Sequence, residues 1–311
     1  MLLARDEIAR YAPGTPTAIT LGVFDGVHLG HRHLIDTLRH HAGDRGLTAG
    51  IVTLHPSPIQ VLRPQVRVAY ITSLEERVEL LRETGVAFVA PLTFTSEVAE
   101  LSASDFLAML REALDMRYLL MGPDNAFGRG REGTPARVAE IAQDLGFELG
   151  ILDDALDNGG ERVSATAVRA AIADGDMEAA ARLLGRPFSL RGPVIRGAER
   201  GRTIGFPTAN MAITPDRALP AFGVYVTRAY LGGKSYAGAT NIGIKPTFDE
   251  ERPSIETYIL GFEGDIYGRE IRIELLHRLR GEEKFASIDA LKARIAADVD
   301  AVRAYFEAEK A

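Results

Sequence analysis

Two histidines flank a glycine just after a predicted buried strand. The segment GVFDGVHLGHRHLI, at residues 22–35, places His28 and His31 three residues apart on either side of Gly30. Backbone N–H groups at the start of a helix attract anions, and open α/β sheets bind ligands at the carboxyl ends of their strands. The imidazoles can donate hydrogen bonds to a polyphosphate, and Gly30 lets phosphates approach the backbone. The spacing therefore favours a phosphate-binding site over a pair of surface histidines.

A metal centre is the other site that clustered histidines suggest. Five of the seven histidines lie within residues 28–41, but the chain has no cysteine and no paired carboxylates accompany them. His40 and His41 have the spacing of solvated residues on a helix face. A metal cluster is therefore the weaker interpretation.

A glycine-rich segment, GPVIRGAERGRTIGFPTAN, occupies residues 192–210. No helical pattern follows it directly, so it is neither a P-loop nor a dinucleotide-binding motif. Its backbone N–H groups can still form a flap over phosphates, and the oxygens of Thr208 and Asn210 are ligands that Mg²⁺ accepts. From spacing alone, a β domain with turn glycines is an equally good interpretation.

A single glutamate, Glu256, interrupts the apolar strand pattern SIETYILGF at residues 254–262. The solvent-facing position of an alternating strand is the commoner explanation for such a residue. Transfer of a γ-phosphoryl group to an alcohol nevertheless requires a base within reach of the hydroxyl. Arg280, near the end of the last strand region, could contact a substrate or pair with Glu283.

The first half of the chain alternates apolar runs with helical patterns. Short runs of β-branched or bulky apolar residues, bounded by Gly, Pro or Asp, are typical of buried strands. Between them, Ser73 and Glu76 form a capping box in a helix closed by Gly85, and Thr134 begins a helix that ends at Gly146. Alternating strands and helices predict a parallel sheet with helices on both faces. The predicted strands are TAITLGVF, TAGIVTL, VAFVAPL, RYLLMG and FELGIL.

The pattern changes after residue 186. Residues 164–185 are typical of two short helices interrupted at Asp174 and Gly175, and strands then recur without a long helix between them. Such strands predict an antiparallel barrel or sandwich, closed here by an amphipathic helix from Ser287 to about Ala308. We therefore predict an α/β domain at residues 1–186 and a β domain at residues 187–311. The predicted strands of the second domain are FGVYVTRAYL, KSYAGATNI, SIETYILGF and REIRIELL.

Composition and charge exclude several classes of protein. The 311 residues are 46% apolar and 25% charged, which is ordinary for globular domains. Residues 1–186 contain 18 Lys and Arg against 26 Asp and Glu, a balance of −8, and residues 187–311 contain 18 against 17, a balance of +1. Neither half has the basic character of a nucleic-acid-binding protein. Without cysteines, a signal-peptide pattern or an apolar run of about 20 residues, we expect a cytoplasmic protein that does not contact membranes.

The pattern G-x-F-D-G-x-H-x-G-H at residues 22–31 resembles the signature of the nucleotidyltransferase superfamily. Together with MGPDNAFGRGREG (121–133) and VSATAVRAAIADGDMEAAARLLGRPF (163–188), it is similar to the adenylyltransferase half of bacterial bifunctional FAD synthetases, the riboflavin kinase/FMN adenylyltransferase family. The resemblance implies a Rossmann-like domain in which His28 and His31 contact the phosphates of ATP and Arg169 lies near them. The other ATP-binding positions that it implies are Gly22, Phe24, Asp25, Gly26, Gly30, Asn125, Ser164 and Thr166.

The chain departs from this family's pattern at three positions. Ser57 replaces a usual His, Asn125 a common Phe, and Ala165 a frequent Ser. These departures motivate an alternative function, a monofunctional riboflavin kinase with a degenerate N-terminal domain. The presence of His28 and Arg169 argues against that alternative.

The segment GRTIGFPTAN at residues 201–210 is similar to the riboflavin kinase signature. In a kinase domain of this kind, Thr208 and Asn210 would hold Mg²⁺ with ATP, and Gly201 and Gly205 would contact ATP. Later segments match the same family in the same order: NIGIKPTF (241–248), SIETYILGF (254–262), DIYGREI (265–271) and LRGEEKF (279–285).

The resemblance implies two reactions. Riboflavin and ATP would give FMN in the C-terminal domain, where Glu256 would activate the ribityl hydroxyl and Arg280 could contact the flavin. FMN and ATP would give FAD and pyrophosphate in the N-terminal domain. The expected partners are therefore ATP, riboflavin, FMN and Mg²⁺, with no nucleic acid, in a monomer or weak homo-oligomer.

Two other classes of protein agree less well with the sequence. A flavin-binding regulator without turnover would not need a base such as Glu256. A class I aminoacyl-tRNA synthetase would carry a lysine loop of the KMSKS type, whereas residues 1–186 contain no lysine.

Overall fold

The computed structural model of the chain describes residues 2–152, 163–197, 200–246 and 251–309. The chain divides into two units, Met1–Ala167 and Val168–Ala311. The first unit contains a five-stranded sheet and the second a closed barrel, so the predicted α/β domain and antiparallel barrel are both confirmed. The predicted domain boundary at residue 186 stays a prediction.

The five strands predicted in the first half are confirmed. They pair in parallel in the order β3-β2-β1-β4-β5, so β1 has β2 on one side and β4 on the other. Loops that leave two such neighbouring strands diverge to opposite faces and open a crevice at the carboxyl edge of the sheet. The strands are β1 (Thr17–Gly22), β2 (Thr48–His55), β3 (Phe88–Thr93), β4 (Met116–Met121) and β5 (Glu148–Ile151).

Helices cover both faces of this sheet, and their predicted caps are largely confirmed. Ser73 and Glu76 form the capping box of α4, and Thr134 and Gly146 cap the two ends of α7. Gly85, predicted to close α4, follows that helix in a left-handed conformation with φ of 80°. The helices are α1 (Leu2–Ala9), α2 (Leu29–Asp44), α3 (Pro58–Leu62), α4 (Leu74–Arg82), α5 (Ser96–Ala99), α6 (Ala103–Leu114) and α7 (Pro135–Leu145).

Successive residues of β1 belong to different cores. Ile19 packs in one hydrophobic cluster with Phe106 and Leu110 of α6. Its neighbour Ala18 packs in the other cluster with Ile35 of α2. A strand that is covered on both faces is apolar at most positions, which explains the nearly continuous apolar runs of the sequence.

Six antiparallel strands close the barrel of the second unit in the order β10-β7-β6-β11-β8-β9. Four of them match the predicted strands, whereas β6 and the three-residue β7 lie in segments for which no strand was predicted. The strands are β6 (Phe188–Ile195), β7 (Ala209–Met211), β8 (Gly223–Leu231), β9 (Lys234–Pro246), β10 (Glu251–Ile259) and β11 (Glu270–Arg280).

Helices precede and follow the barrel. The predicted interruption at Asp174 and Gly175 is confirmed, because α8 (Ala165–Asp174) and α9 (Met177–Leu184) meet there. The closing helix, α11 (Ile288–Ala308), begins after the predicted N-cap Ser287. A four-residue helix, α10 (Arg200–Thr203), lies in the glycine-rich segment, where no helix was predicted. Over the described ranges, no helix combines the length and the apolar character needed to cross a bilayer.

Candidate active sites

The turn between β1 and α2 lies at the carboxyl edge of the sheet, where the strand order reverses. It contains a 3-10 turn at Asp25–Val27 that follows a left-handed Phe24 with φ of 53°. Val27, a β-branched residue, also has a positive φ of 42°. Such conformations are costly and persist only where the surrounding structure enforces them. The turn is therefore held in one shape by its contacts.

Asp25 fastens this turn to the segment that precedes α4. Its carboxylate is 2% exposed and accepts hydrogen bonds of 3.0–3.1 Å from the backbone N–H groups of Ile71 and Thr72. It also lies 3.7 Å from Nη2 of the fully buried Arg77. Gly26 donates its N–H to the Thr72 hydroxyl at 3.1 Å. These contacts position the turn, and direct contact of Asp25 or Gly26 with ATP stays a prediction.

His28 caps α2 and stacks on His31. Nδ1 of His28 accepts the backbone N–H of His31 at 3.3 Å, and the ring centroids lie 3.6 Å apart with 17° between the planes. Because Nδ1 is the acceptor, a neutral His28 ring carries its proton on Nε2. His28 can therefore cap the helix with one nitrogen and donate to a ligand with the other, at a helix start that favours anions.

Gly22 and Gly30 lie close to other atoms of the protein. A Cβ atom on Gly30 would lie 3.2 Å from both Nδ1 of His28 and the carbonyl oxygen of Val163. A Cβ atom on Gly22 would lie 3.3 Å from the ring of Phe24. A side chain at either position would therefore be in tight contact with the turn, and phosphate contact at either stays a prediction.

The remaining residues predicted for this site lie on a loop and a helix. Asn125 is half-buried in the loop after β4. Ser164 caps α8 by accepting a backbone N–H at 3.2 Å, and Thr166 is exposed in the first turn of that helix. Arg169 is half-buried on α8, beyond the end of the first unit. Ser164 thus has a role in the fold, and contact of all four with ATP stays a prediction.

Glu256 lies in a polar group on the barrel wall. Strand pairing places it directly opposite Asn210 of β7 on one side and Asn241 of β9 on the other. The hydroxyl of Thr208 donates a hydrogen bond to Oε2 of Glu256 at 3.2 Å. The preceding Ile255 is buried, so Glu256, which is half-buried, lies on the outer face of the barrel. The barrel therefore brings the predicted base together with both predicted Mg²⁺ ligands.

A cavity of about 320 Å³ lies over this polar group. Its lining combines aromatic rings and apolar residues of α11 with polar and charged side chains, including Glu256, Arg280 and Glu282. This composition is typical of a site for a largely apolar ligand that is oriented by a few polar groups. The lining includes Thr208, Asn241, Glu256, Phe206, Tyr258, Phe285, Leu291 and Ile295.

A second cavity, of about 570 Å³, lies on the other side of Thr208. Thr257 and Ile259 of β10 line it, and these residues alternate with those that face the first cavity. The guanidinium of Arg196 lies 4.7 Å from the ring centroid of Tyr267 in its wall. Thr208 lines both cavities, so it marks the point at which two ligands could meet.

The glycine-rich segment is packed against this group. A Cβ atom on Gly197 would lie 2.5 Å from the side-chain amide of Asn210, and one on Gly201 would lie 2.3 Å from the carbonyl oxygen of Phe206. Gly205 has open space around it but a φ of 90°, which favours glycine. The first two glycines are therefore needed for close packing of the protein, and contact of Gly201 and Gly205 with ATP stays a prediction.

Arg280 pairs with Asp298 and not with Glu283, which lies closer to it in the chain. Its guanidinium donates to the Asp298 carboxylate of α11, with Nη2 to Oδ2 at 2.7 Å and Nε to Oδ1 at 3.1 Å. Glu283, the partner considered from the sequence, lies instead 3.3 Å from Arg294. Arg280 lines the 320 Å³ cavity, and its contact with a flavin stays a prediction.

Two residues of this site were missed. Asn241 begins the segment NIGIKPTF, but only strand pairing places it beside Glu256. Asp298 precedes the buried Val302 by one helical turn, so the period of α11 indicates that it lies on the buried stripe. A carboxylate on such a stripe signals a buried partner, which is Arg280.

Two family models match the chain. Residues 12–167 match a model described as FAD synthetase, and residues 184–306 match one described as riboflavin kinase. The chain is 38% identical over 297 residues to the bifunctional riboflavin kinase/FMN adenylyltransferase of Escherichia coli (strain K12), covering 95% of this chain and 94% of that protein. It is 36% identical over 295 residues to the protein of the same name from Bacillus subtilis (strain 168), covering 93% and 92%.

A solved structure shares the fold over nearly the whole length. The crystal structure of a protein from Streptococcus pneumoniae, described as a macrolide-efflux protein, superposes with a TM-score of 0.87 and 31% sequence identity. The match covers 96% of this chain and 97% of that one.

Proposed function

The chain belongs to the family of bifunctional riboflavin kinase/FMN adenylyltransferases, and from this premise we propose that it converts riboflavin to FMN and then FMN to FAD, using ATP in both steps. The observation that carries the proposal is the position of Glu256, bonded to Thr208 at the point shared by two cavities. A phosphoryl transfer from one ligand to another needs such a meeting point.

The kinase reaction fits the two cavities of the second unit. Riboflavin occupies the 320 Å³ cavity, with its ring system against the aromatic and aliphatic wall and its ribityl chain toward Glu256. ATP occupies the 570 Å³ cavity, with its γ-phosphate toward Thr208. Glu256 accepts the proton of the terminal ribityl hydroxyl while the hydroxyl oxygen bonds to the γ-phosphorus of ATP. The bond between the γ-phosphorus and the oxygen that leaves with ADP breaks. The products are FMN and ADP.

The donor set fits Mg²⁺. The hydroxyl of Thr208 and the amide oxygen of Asn210 are hard oxygen ligands that flank the same carboxylate. Among the described residues, no group of three or more His, Asp or Glu side chains could hold a metal ion, and Mg²⁺ commonly uses one or two protein groups with substrate phosphates and water. When bound, Mg²⁺ would neutralise charge on the phosphates of ATP. Thr208 and Asn210 are the residues that we propose hold it.

Adenylyl transfer is assigned to the turn between β1 and α2. The nucleophile is the phosphate of FMN, which is already ionised at neutral pH, so the protein needs no general base. Its oxygen bonds to the α-phosphorus of ATP and pyrophosphate leaves. The protein has to align the reactants and to stabilise negative charge on pyrophosphate. Nε2–H of His28, the ring of His31 and the start of α2 are the groups that we propose do so.

One time course tests both reactions. The full-length protein is incubated with riboflavin and Mg-ATP, and flavins are separated by chromatography. We expect FMN to accumulate first and FAD to follow. FMN without FAD would support the monofunctional alternative, and unchanged riboflavin would contradict the proposed function.

A cytoplasmic location and a monomeric or weakly oligomeric state stay predictions.

A further inference from the structure

Glu282 places a second carboxylate on the wall that carries Glu256. A Cβ atom on Gly243 of β9 would lie 2.2 Å from Oε1 of Glu282, so this carboxylate rests directly on the glycine. Gly243 and Asn241 share the outer face of β9, because side chains alternate along a strand. Asn241 pairs with Glu256, which makes Gly243 and Glu256 diagonal neighbours on the sheet, about 7 to 8 Å apart.

The other cavity-lining charges next to Glu282 are engaged in ion pairs. Arg280 is bonded to Asp298 at 2.7 Å, and Glu283 lies 3.3 Å from Arg294. In the part of the chain that the structure describes, Glu282 forms no ion pair. Its negative charge therefore remains available to act on a ligand in the 320 Å³ cavity, which Glu282 lines.

The substrate and product of the proposed kinase reaction differ mainly in charge. Riboflavin is neutral, whereas the phosphate monoester of FMN carries a charge of about −1.5 to −2 at pH 7. The new phosphate forms at the hydroxyl beside Glu256, within range of the Glu282 carboxylate. A fixed negative charge there leaves the binding of riboflavin unchanged and weakens the binding of FMN.

We propose that Glu282 is a specificity-determining residue of the kinase site, which selects the neutral flavin and promotes the release of FMN by charge repulsion. The proposal rests on the proposed function. Glu282 is exposed at the rim of the cavity, so solvent and salt screen the repulsion. We therefore expect an effect of about threefold to tenfold on the affinity for FMN.

The test measures inhibition of the kinase reaction by its product in the full-length protein. Only the kinase reaction releases ADP, because adenylylation of FMN releases pyrophosphate. Initial rates of ADP formation, at several concentrations of riboflavin and added FMN, give the KM for riboflavin and the inhibition constant of FMN. The variants are Glu282→Gln, which removes the charge, and Glu282→Asp, which keeps it. Glu307→Gln removes one charge from an exposed position of α11 outside the cavity and serves as the control.

We expect Glu282→Gln to lower the inhibition constant of FMN about threefold to tenfold with the KM for riboflavin nearly unchanged. Glu282→Asp and Glu307→Gln should keep the wild-type constant, and raising the salt concentration should reduce the difference. An unchanged inhibition constant in Glu282→Gln, or an equal change in both constants, would overturn the proposal. If the wild-type protein forms no ADP with riboflavin, the proposed function itself fails, which is a separate result.

Discussion

The hydroxyl of Thr208, two residues before Asn210, donates a hydrogen bond of 3.2 Å to Oε2 of Glu256. This bond joins the glycine-rich segment to β10 between the two cavities of the second unit. It also orients the carboxylate that we propose accepts the proton of the ribityl hydroxyl. The bond therefore contributes to the geometry of the proposed kinase site.

Glu256→Gln should abolish FMN formation and leave FAD formation from supplied FMN nearly normal. The glutamine keeps an oxygen that can accept the bond from Thr208, but it cannot serve as a base. Loss of a general base typically lowers the rate by about two to four powers of ten. Separate assays of the two reactions check the prediction, with Glu307→Gln as the charge control. Equal loss of both activities would mean that Glu256 has a structural role.

Three variants of His28 separate its two nitrogens. His28→Asn offers an oxygen that can cap α2, as asparagine commonly does, but it lacks the donor at the position of Nε2. His28→Gln can place a donor near that position with a poorer cap, and His28→Ala loses both. We expect the His28→Asn variant to keep the wild-type thermal stability and to show reduced FAD synthesis. We expect the His28→Ala variant to show reduced thermal stability and reduced FAD synthesis.

The expected loss in FAD synthesis for His28→Ala is on the order of 3 kcal/mol of transition-state stabilisation, as for one donor of an oxyanion site. His31→Ala should act in the same direction, and the double variant should cost less than the sum, because both rings serve one polyphosphate. Riboflavin phosphorylation should be unchanged in all of these variants. If His28→Asn retains full FAD synthesis, the ring serves only to cap the helix.

Fragments test where the second domain begins. We predict that residues 187–311 fold and phosphorylate riboflavin, because the segment 201–210, Glu256 and α11 all lie after residue 186. The structure adds that Met177 and Ala180 of α9 are fully buried and that Glu178 lies 2.6 Å from His277 of β11.

Removing α9 therefore exposes apolar surface of the barrel. We expect the fragment 187–311 to be less stable than the fragment 168–311 by about 2 kcal/mol or more, which chemical denaturation would measure. Equal stability of the two fragments would contradict this expectation, and a folded 187–311 fragment that leaves riboflavin unchanged would contradict the predicted boundary.

The barrel contains a tyrosine whose ionisation is opposed by burial. Burial raises the pKa of Tyr225 to about 12, although the nearby Arg278 acts in the opposite direction. The Tyr225 hydroxyl donates a hydrogen bond to the backbone carbonyl of Ala221. A Cβ atom on Gly175 would lie 2.9 Å from the same hydroxyl oxygen. The folded state therefore holds this proton more tightly than the unfolded chain does.

Because the pKa is higher in the folded state, the contribution of Tyr225 to stability is complete below about pH 10 and decreases as the pH rises toward 12. Tyr225→Phe should be destabilised by about 1 kcal/mol at neutral pH through loss of the hydrogen bond. The difference between wild type and variant should narrow above about pH 10. Denaturation midpoints of both proteins across this range check the prediction, and a constant difference would contradict it.

The local elements could be predicted because local physical chemistry decides them. Continuous apolar runs are required of strands covered on both faces, and the caps at Ser73, Thr134 and Ser287 satisfy the N–H groups of a helix start with the side chain next to it. The strand β7 was missed because its three residues, Ala209–Met211, are too few to show an apolar period of their own.

Spacing and composition were enough to predict the elements of the sheet, most strands of the barrel, the closing helix and the candidate residues of both sites. Which of these residues meet depends on how the elements pack together. Closure of the barrel sets Glu256 between Asn210 and Asn241, packing of α11 gives Arg280 the partner Asp298, and burial beside Ile71 makes Asp25 a support of the turn. Such contacts join residues far apart in the chain, so they depend on strand register and burial, which no local spacing specifies.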